Sequence, residues 1–415
     1  MRRSLAVWRE QNRVGTLATS DGVWSFTYSP AWKALEEAFA LSPHFPLDVD
    51  TFADTGNDRR VLWFFDNLLP EGGVRQALAR QAKVAEKDTF ALLQRYGDES
   101  AGALTLLTDD GRQPPSGGYE ELTDEQLSAR VRKLPKVPFI EAEGRARMSL
   151  AGTQHKLGLH RDHDRWLLPV GGSSSVILKP GIAGEEFPCA PANEFFCQRL
   201  AAAVGIEVPH CELIRVPEPI YVVTRYDRRV QDGRVRRLHQ IDLCQLLNRW
   251  PGYKYESEGG ASIEEAYRAL DRTRQPARSR AAFLRWFVFN YLIGNSDAHA
   301  KNLSFLVSPG RIDLAPAYDL LSVRAYGEEY DYMAMLIASE TRYGWVETEQ
   351  WDTLASSLKL NKSFLTRIRS ELVETVPHAA KELLAKLDLV DDERDLLQKV
   401  LAIIELHAGY MRKGL

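Results

Sequence analysis

Hydrophobic and polar positions change their spacing several times along the chain. Residues 1–30 fall into short segments, LAVWRE, RVGTLATSDG and VWSFTYS, with Ser20-Asp21-Gly22 as a hairpin signal between the last two. That pattern predicts a small antiparallel sheet. From residue 60 the spacing turns helical. Val61, Phe64, Phe65, Leu68 and Leu69 form one apolar stripe and Val74 to Lys83 a second, punctuated by Pro70 and Gly72-Gly73. GALTLL then reads as a strand, and DDGRQPPSGG (109–118) as a linker. A charged helix or loop follows near Asp124–Lys133. Residues 148–240 hold five strand-like runs, KLGLH, RWLLPV, SVILKP, CELIRV and YVVTRYDRR, and one amphipathic helix from Asn193 to Val204, ended by Gly205. From Gln240 onward the pattern is helical almost to the end. Phe283, Trp286, Phe287 and Tyr291 mark a strongly buried helix that stops at Gly294.

A strand-rich lobe followed by a helical one is an arrangement that often holds small ligands between its parts. At 415 residues the chain predicts two to three folding units. It is 44% hydrophobic and 27% charged, which excludes wholesale disorder and fibrous classes. Lys and Arg number 53 against 57 Asp and Glu, a net charge of −4, so no global basic field exists for wrapping nucleic acid. The cysteines, at 189, 197, 211 and 244, form no CxxC pair and give a zinc site no support. The longest apolar stretch, Phe283–Ile293, carries Arg285 and Asn290 and falls short of the ~20 residues of a membrane span. No membrane partner is expected, and MRRSLAVWREQNR has no secretory apolar run. A cytoplasmic protein is expected.

The segment Gly294-Asn295-Ser296-Asp297-Ala298-His299-Ala300-Lys301-Asn302 carries the chemistry. A buried helix that opens into such a polar run needs partners for every group. Asp297 and Asn302 have the D-x-x-x-x-N spacing of a kinase catalytic loop, in which the Asp accepts the substrate hydroxyl proton and the Asn holds Mg²⁺. Downstream, Asp319 is a lone carboxylate in the apolar run APAYDLLS. Mg²⁺ bridging phosphates needs one or two carboxylates plus oxygen donors. A phosphate-gripping cation fits Lys179 at the end of VILK, oriented by Glu194, and a phosphate-covering loop fits SLAGTQHK upstream. The bland readings are a polar helix cap for Asp297 and Asn302, a helix-start carboxylate for Glu194, a turn residue for Ser149 and a solvated cation for Lys301. His299 reads as a hydrogen-bonding residue able to orient the base. The arginines 228, 229, 234, 236 and 237 read as an exposed charged hairpin, and Asp227 as their ion-pair partner.

In order along the chain, DNLLPEG, DESAGALTLL, SLAGTQHK, VILKP, GNSDAHAKN and APAYDLLS resemble the HipA family of serine/threonine kinases, toxins of bacterial toxin–antitoxin pairs. The resemblance implies an α+β protein-kinase-like bilobal fold with an additional small N-terminal β-rich domain and an all-helical C-terminal lobe. Its parts would be a HipA-type domain at 1–110, a linker and connecting helix at 111–145, the kinase N-lobe at 146–239 and the C-lobe at 240–415. The cofactors implied are ATP and Mg²⁺. Asp297 would be the base, with His299 and Lys301 beside it, and Asn302 and Asp319 the metal ligands. Ala151, Gly152, Thr153, Gln154, His155, Lys156 and Lys179 would contact the ATP phosphates, and Gln240, Ile241 and Asp242 the adenine. Ile241 and His155 depart from acidic residues common in the family. Ser149 matches an inactivating autophosphorylation site. A HipB-like helix-turn-helix antitoxin, operator DNA reached mainly through it, and a protein substrate such as glutamyl-tRNA synthetase are the partners implied, with a toxin dimer bridged by an antitoxin dimer. The competing classes are a small-molecule phosphotransferase of the aminoglycoside-kinase type, which has no evident need of residues 1–110, and a non-catalytic corepressor.

Overall fold

The protein's computed structural model describes residues 2–115, 117–134, 155–181, 186–231, 233–413 and 415. The chain divides into two compact units, one of residues 1–182, 215–251 and 305–312, the other of 183–214, 252–304 and 313–415.

The first unit begins with an antiparallel sheet ordered Thr51–Ala53, Val23–Tyr28, Asn12–Ser20, Arg3–Arg9, Thr105–Thr108. Asp21 and Gly22 both take positive φ, 53° and 83°, the two-residue turn that the Asp-Gly pair favours. Helices Arg60–Asp66, Gly72–Ala82 and Thr89–Tyr96 accompany the sheet. The resulting core is aromatic: Phe26, Phe45, Phe64 and Phe65 meet edge-on or tilted at 5.1–6.1 Å. A further run of strands lies in the order Pro219–Thr224, Val176–Pro180, Leu157–Asp162, Arg165–Pro169, Tyr119–Leu122. The strands expected at KLGLH, RWLLPV, SVILKP and CELIRV are present, whereas YVVTRYDRR is split, one strand ending at Thr224 and another beginning at Arg228. Thr123 and Gln126 close a capping box on helix Asp124–Val131.

In the same unit the strand His239–Asp242 runs straight into the short helix Leu243–Leu246. Residues from the first hundred grip this segment. His239 Nε2 meets Leu41 O at 2.8 Å and its ring stacks on Phe39 at 4.5 Å. Gln245 donates to Phe64 O at 3.0 Å, His44 Nε2 meets Leu246 O at 3.0 Å, and Asn67 donates to Arg249 O at 3.1 Å.

The arginine hairpin is exposed as expected at Arg229, Arg234 and Arg236, but not at its base. Its strands, Arg228–Gln231 and Arg234–Arg237, pair Arg228 directly across from Arg237, and both side chains are buried. Two like charges face each other there only because Asp227 accepts from Arg225 and Arg228 at 2.7 and 2.8 Å and Glu99 lies 3.3 Å from Arg228. Burial alone would raise both carboxyls. The guanidiniums around them overcome it and hold both below the usual carboxylate range. Arg237 completes the cluster through Gly102 O and Leu104 O. The pairing of Asp227 with neighbouring arginines is as expected.

The second unit is mainly helical: Ala190–Ala203, Ile263–Ala269, Pro276–Ile293, Thr348–Ser357, Lys362–Lys386 and Asp391–Lys413. Helix Pro276–Ile293 is buried at nearly every position of its last eleven, because Lys362–Lys386 and Asp391–Lys413 both pack on it. Tyr291, Tyr343, Trp351 and His407 form its aromatic centre. The region after Gln240 is not helical throughout. Ser304–Ser308 and Arg311–Leu314 are strands around the Pro309-Gly310 turn, because the short apolar run SFLV ends at that turn signal. Among the described residues no helix is long and apolar enough to cross a membrane.

Candidate active site

The site grows from the end of helix Pro276–Ile293. Gly294 closes that helix in the left-handed region at φ 68°, and a Cβ there would stand 2.9 Å from the Arg324 side chain. The next residue, Asn295, is buried and organises the loop after it. Its Nδ2 donates to Asn290 Oδ1 at 2.8 Å and to Asp319 O at 3.3 Å, and its Oδ1 accepts from Asp297 N at 3.2 Å.

The loop then curls back on itself. His299 N donates to Asp297 O at 2.9 Å, and a 3₁₀ turn covers Ala300–Asn302. Asn302 Nδ2 donates to Asp297 O at 2.9 Å, closing the five-residue spacing into a ring. With the amide NH₂ committed there, Oδ1 of Asn302 is the atom left to coordinate a hard cation. Asp319, φ 59°, sits in the left-handed region that Asp tolerates better than most residues. Tyr318 beside it donates to Lys301 O at 2.5 Å and bonds Ser304 Oγ at 2.7 Å. Asn295 and Tyr318 thus fasten the Asp319 segment to the Asp297 loop. Asn302 and Asp319 supply one amide oxygen and one carboxylate, a donor set that suits Mg²⁺ completed by phosphate oxygens and water. Among the described residues no group of three or more His, Cys, Asp or Glu could hold a metal, so a dedicated all-protein cage is absent there.

Asp297 itself is about a third exposed. His299, buried, places Nε2 3.6 Å from Asp297 Oδ1, just beyond hydrogen-bond distance. Lys301 is buried, at 6% exposure, which removes its reading as a solvated cation. Glu194 is buried in the second turn of helix Ala190–Ala203, past the reach of a helix-start carboxylate. Its neighbour Asn193 exchanges two bonds with Ser322, at 3.0 and 2.9 Å, tying that helix to the segment after Asp319.

The remaining expected residues belong to the first unit. Lys179 lies on strand Val176–Pro180 opposite Tyr221, with Nζ 5.9 Å from the tyrosine ring centre, and it is buried. Ile241 is fully buried. Asp242 caps helix Leu243–Leu246 by accepting from Gln245 N at 2.8 Å, so its carboxylate has a structural duty. Gln240 N lies 2.9 Å from where a Cβ of Gly102 would stand, so the N-terminal loop packs against this backbone. His155 and Lys156 are half-buried, and burial lowers the His155 imidazole below its ordinary value. Ser149, Ala151, Gly152, Thr153 and Gln154 lie outside the described residues.

Comparisons with known proteins assign the chain to a family. The HipA N-terminal domain profile matches residues 5–107 and the HipA-like C-terminal domain profile residues 148–380. A putative kinase of Sinorhizobium fredii is 36% identical over 393 residues, 92% of each chain. The chain belongs to the HipA family. Another HipA relative, the serine/threonine-protein kinase toxin HipA of Shewanella oneidensis, is 29% identical over 91% of this chain and 87% of its own. A solved structure of HipA from that organism, in complex with HipB and operator DNA, superposes with a TM-score of 0.83 at 26% identity, covering 99% of both chains. The α+β, kinase-like architecture is that of HipA.

The sequence alone gives no individual role to Asn295 or Tyr318, although both lie inside the motifs quoted above, and does not point to Tyr255, whose hydroxyl donates to Asp297 Oδ1. Asn295 stands two residues before Asp297 and Tyr318 one before Asp319. Tyr255 is 42 residues upstream and carries no local signal.

Proposed function

We propose that this HipA-family protein transfers the γ-phosphoryl group of Mg-ATP to a Ser or Thr hydroxyl of a protein involved in translation, as the toxin of a toxin–antitoxin pair. The enzyme class, a serine/threonine protein kinase, follows from its family. What carries the reading is the joining of Asp297, Asn302 and Asp319 within one unit by Asn295 and Tyr318. Phosphoryl transfer needs little covalent chemistry from the protein, so catalysis is mostly positioning and charge neutralisation.

In this reading Asp297 takes the proton of the attacking hydroxyl, and His299 keeps its carboxylate in place. Asn302 and Asp319 hold Mg²⁺, which when bound neutralises charge on the phosphates. Lys179 and Lys301 add positive charge, Glu194 orients a cation, and residues 151–156 cover the phosphates. Adenine lies along Gln240–Asp242, where backbone groups can read it despite the apolar Ile241. Phosphorylation of Ser149 switches the enzyme off. The partner is a HipB-like helix-turn-helix antitoxin, supported by the Shewanella complex with HipB and operator DNA. Aminoacyl-tRNA synthetases are the first substrates to test, glutamyl-tRNA synthetase leading.

Intact-mass spectrometry of dephosphorylated protein with and without Mg-ATP, beside Asp297→Asn, tests this. One added phosphate on Ser149 in the wild type alone is expected. No added phosphate together with no ATP-dependent thermal shift would sink the kinase reading.

A further inference from the structure

The segment Tyr253–Gly260 is bonded to the Asp297 loop through one main-chain contact and to residues 334–336 through two. Ala300 N donates to Lys254 O at 3.1 Å, Glu256 N to Ala334 O at 3.2 Å, and Leu336 N to Glu256 Oε2 at 2.7 Å. Gly260 N turns back to Tyr255 O at 2.8 Å, and a Cβ on Gly260 would stand only 2.4 Å from that oxygen, so the turn requires glycine. All of this fixes one side chain. The Tyr255 ring stands edge-on to His299 at 5.0 Å and 78°, and its hydroxyl donates to Asp297 Oδ1.

Both side-chain partners of Asp297 fall on the same oxygen, since His299 Nε2 also approaches Oδ1. Oδ2 takes no hydrogen bond from the described residues. A carboxylate anchored by one oxygen presents the other in a fixed direction. Left alone, it would rotate about its terminal sp³–sp² torsion, whose minima are broad.

We propose that Tyr255 is a positioning residue of the phosphoryl-transfer site, clamping Oδ1 of Asp297 so that Oδ2 faces the acceptor hydroxyl. His299 is the second jaw, and the Tyr255 ring packs on it, so the pair acts as one support. The assignment rests on the reading of Asp297 as the base.

The test uses full-length protein in three forms: wild type, Tyr255→Phe, and Tyr255→4-aminophenylalanine, which restores an N–H donor on the same ring. Carbon-13 carboxyl NMR of aspartate-labelled protein, with the Asp297 signal identified by its loss in Asp297→Asn, reads the clamp directly. Transfer from Mg-ATP, followed as phosphate on the protein and released inorganic phosphate, reads its use. Tyr255→Phe keeps the ring on His299, so thermal unfolding should hold. The Asp297 signal should move, kcat should fall by about 10- to 100-fold with KM for ATP unchanged, and the amino variant should recover part of the rate. An unmoved signal would overturn the proposal, as would a moved signal with unchanged kcat. Wild-type protein that transfers no phosphoryl group would overturn the kinase reading and the clamp's purpose together. An active wild type with an unimpaired Tyr255→Phe overturns the clamp alone.

Discussion

Asn295 bonds three separate pieces of the site from a buried position: the end of helix Pro276–Ile293, the main chain of Asp297 and the main chain of Asp319. Asn295→Ala removes all three and leaves buried groups unsatisfied, each costing about 1–3 kcal/mol. A loss of about 10- to 100-fold in transfer, with a lower urea midpoint, is the expected result. Steady-state kinetics and equilibrium unfolding on the same preparation check both. Asp297→Asn instead should leave stability near wild type and lower kcat by about 10²- to 10⁴-fold, the range for losing a general base. Glu256 makes a different prediction. Burial pushes its carboxyl up to about 7, despite the bond from Leu336 N, and Glu264 and Glu265 add to the rise. A raised carboxyl favours the protonated folded state, so nothing is lost below the ordinary value of 4.5 and stability falls as pH rises from there to about 7. Glu256→Gln keeps an acceptor for Leu336 N without the charge. Its stability should match wild type at pH 4 and exceed it at pH 8 by about 1 kcal/mol after solvent screening, read as a higher melting temperature at pH 8 only.

At the scale of elements, the buried arginine hairpin shows what a pattern read along one strand leaves out. Arg228 and Arg237 stand at the paired base of the hairpin, where Glu99 and Asp227 reach them, while Arg229, Arg234 and Arg236 are exposed. Removing one carboxylate strands charge in the interior. Asp227→Asn or Glu99→Gln should cost about 3–5 kcal/mol, whereas Arg236→Ala should lie within about 0.5 kcal/mol of wild type. Urea denaturation of the three variants distinguishes them. The same contrast explains what was legible in the sequence. Strands between 157 and 224, the helix ending at Gly294 and the Asp297–Asn302 spacing are local patterns, and local periodicity reports them. Glu99 lies more than a hundred residues from Arg228, and Tyr255 42 from Asp297. Such contacts exist only after folding. Strand Ser304–Ser308 was missed because its apolar run is too short to separate from helix without weighing the Pro-Gly turn after it.

On the scale of the whole molecule, the residues gripping His239–Arg249 come from the first hundred positions: Leu41, His44, Phe64 and Asn67. The N-terminal domain and the strand-rich segment therefore belong to one unit. A fragment starting at residue 111 would expose the face of His239 that stacks on Phe39 and leave Arg228 and Arg237 without Glu99. It should not accumulate as folded protein, as expression in the soluble fraction and circular dichroism would show.

Residues 305–312 complete the first unit, although the chain has by then left it twice to build parts of the second. The strand they supply closes the sheet that begins with His239–Asp242. A ribosome delivers the chain from the N-terminus, so the segment proposed to hold adenine cannot reach its final setting until about three quarters of the polypeptide has emerged. Translation products that stop before residue 305 would then be inert, because the sheet they need is unfinished.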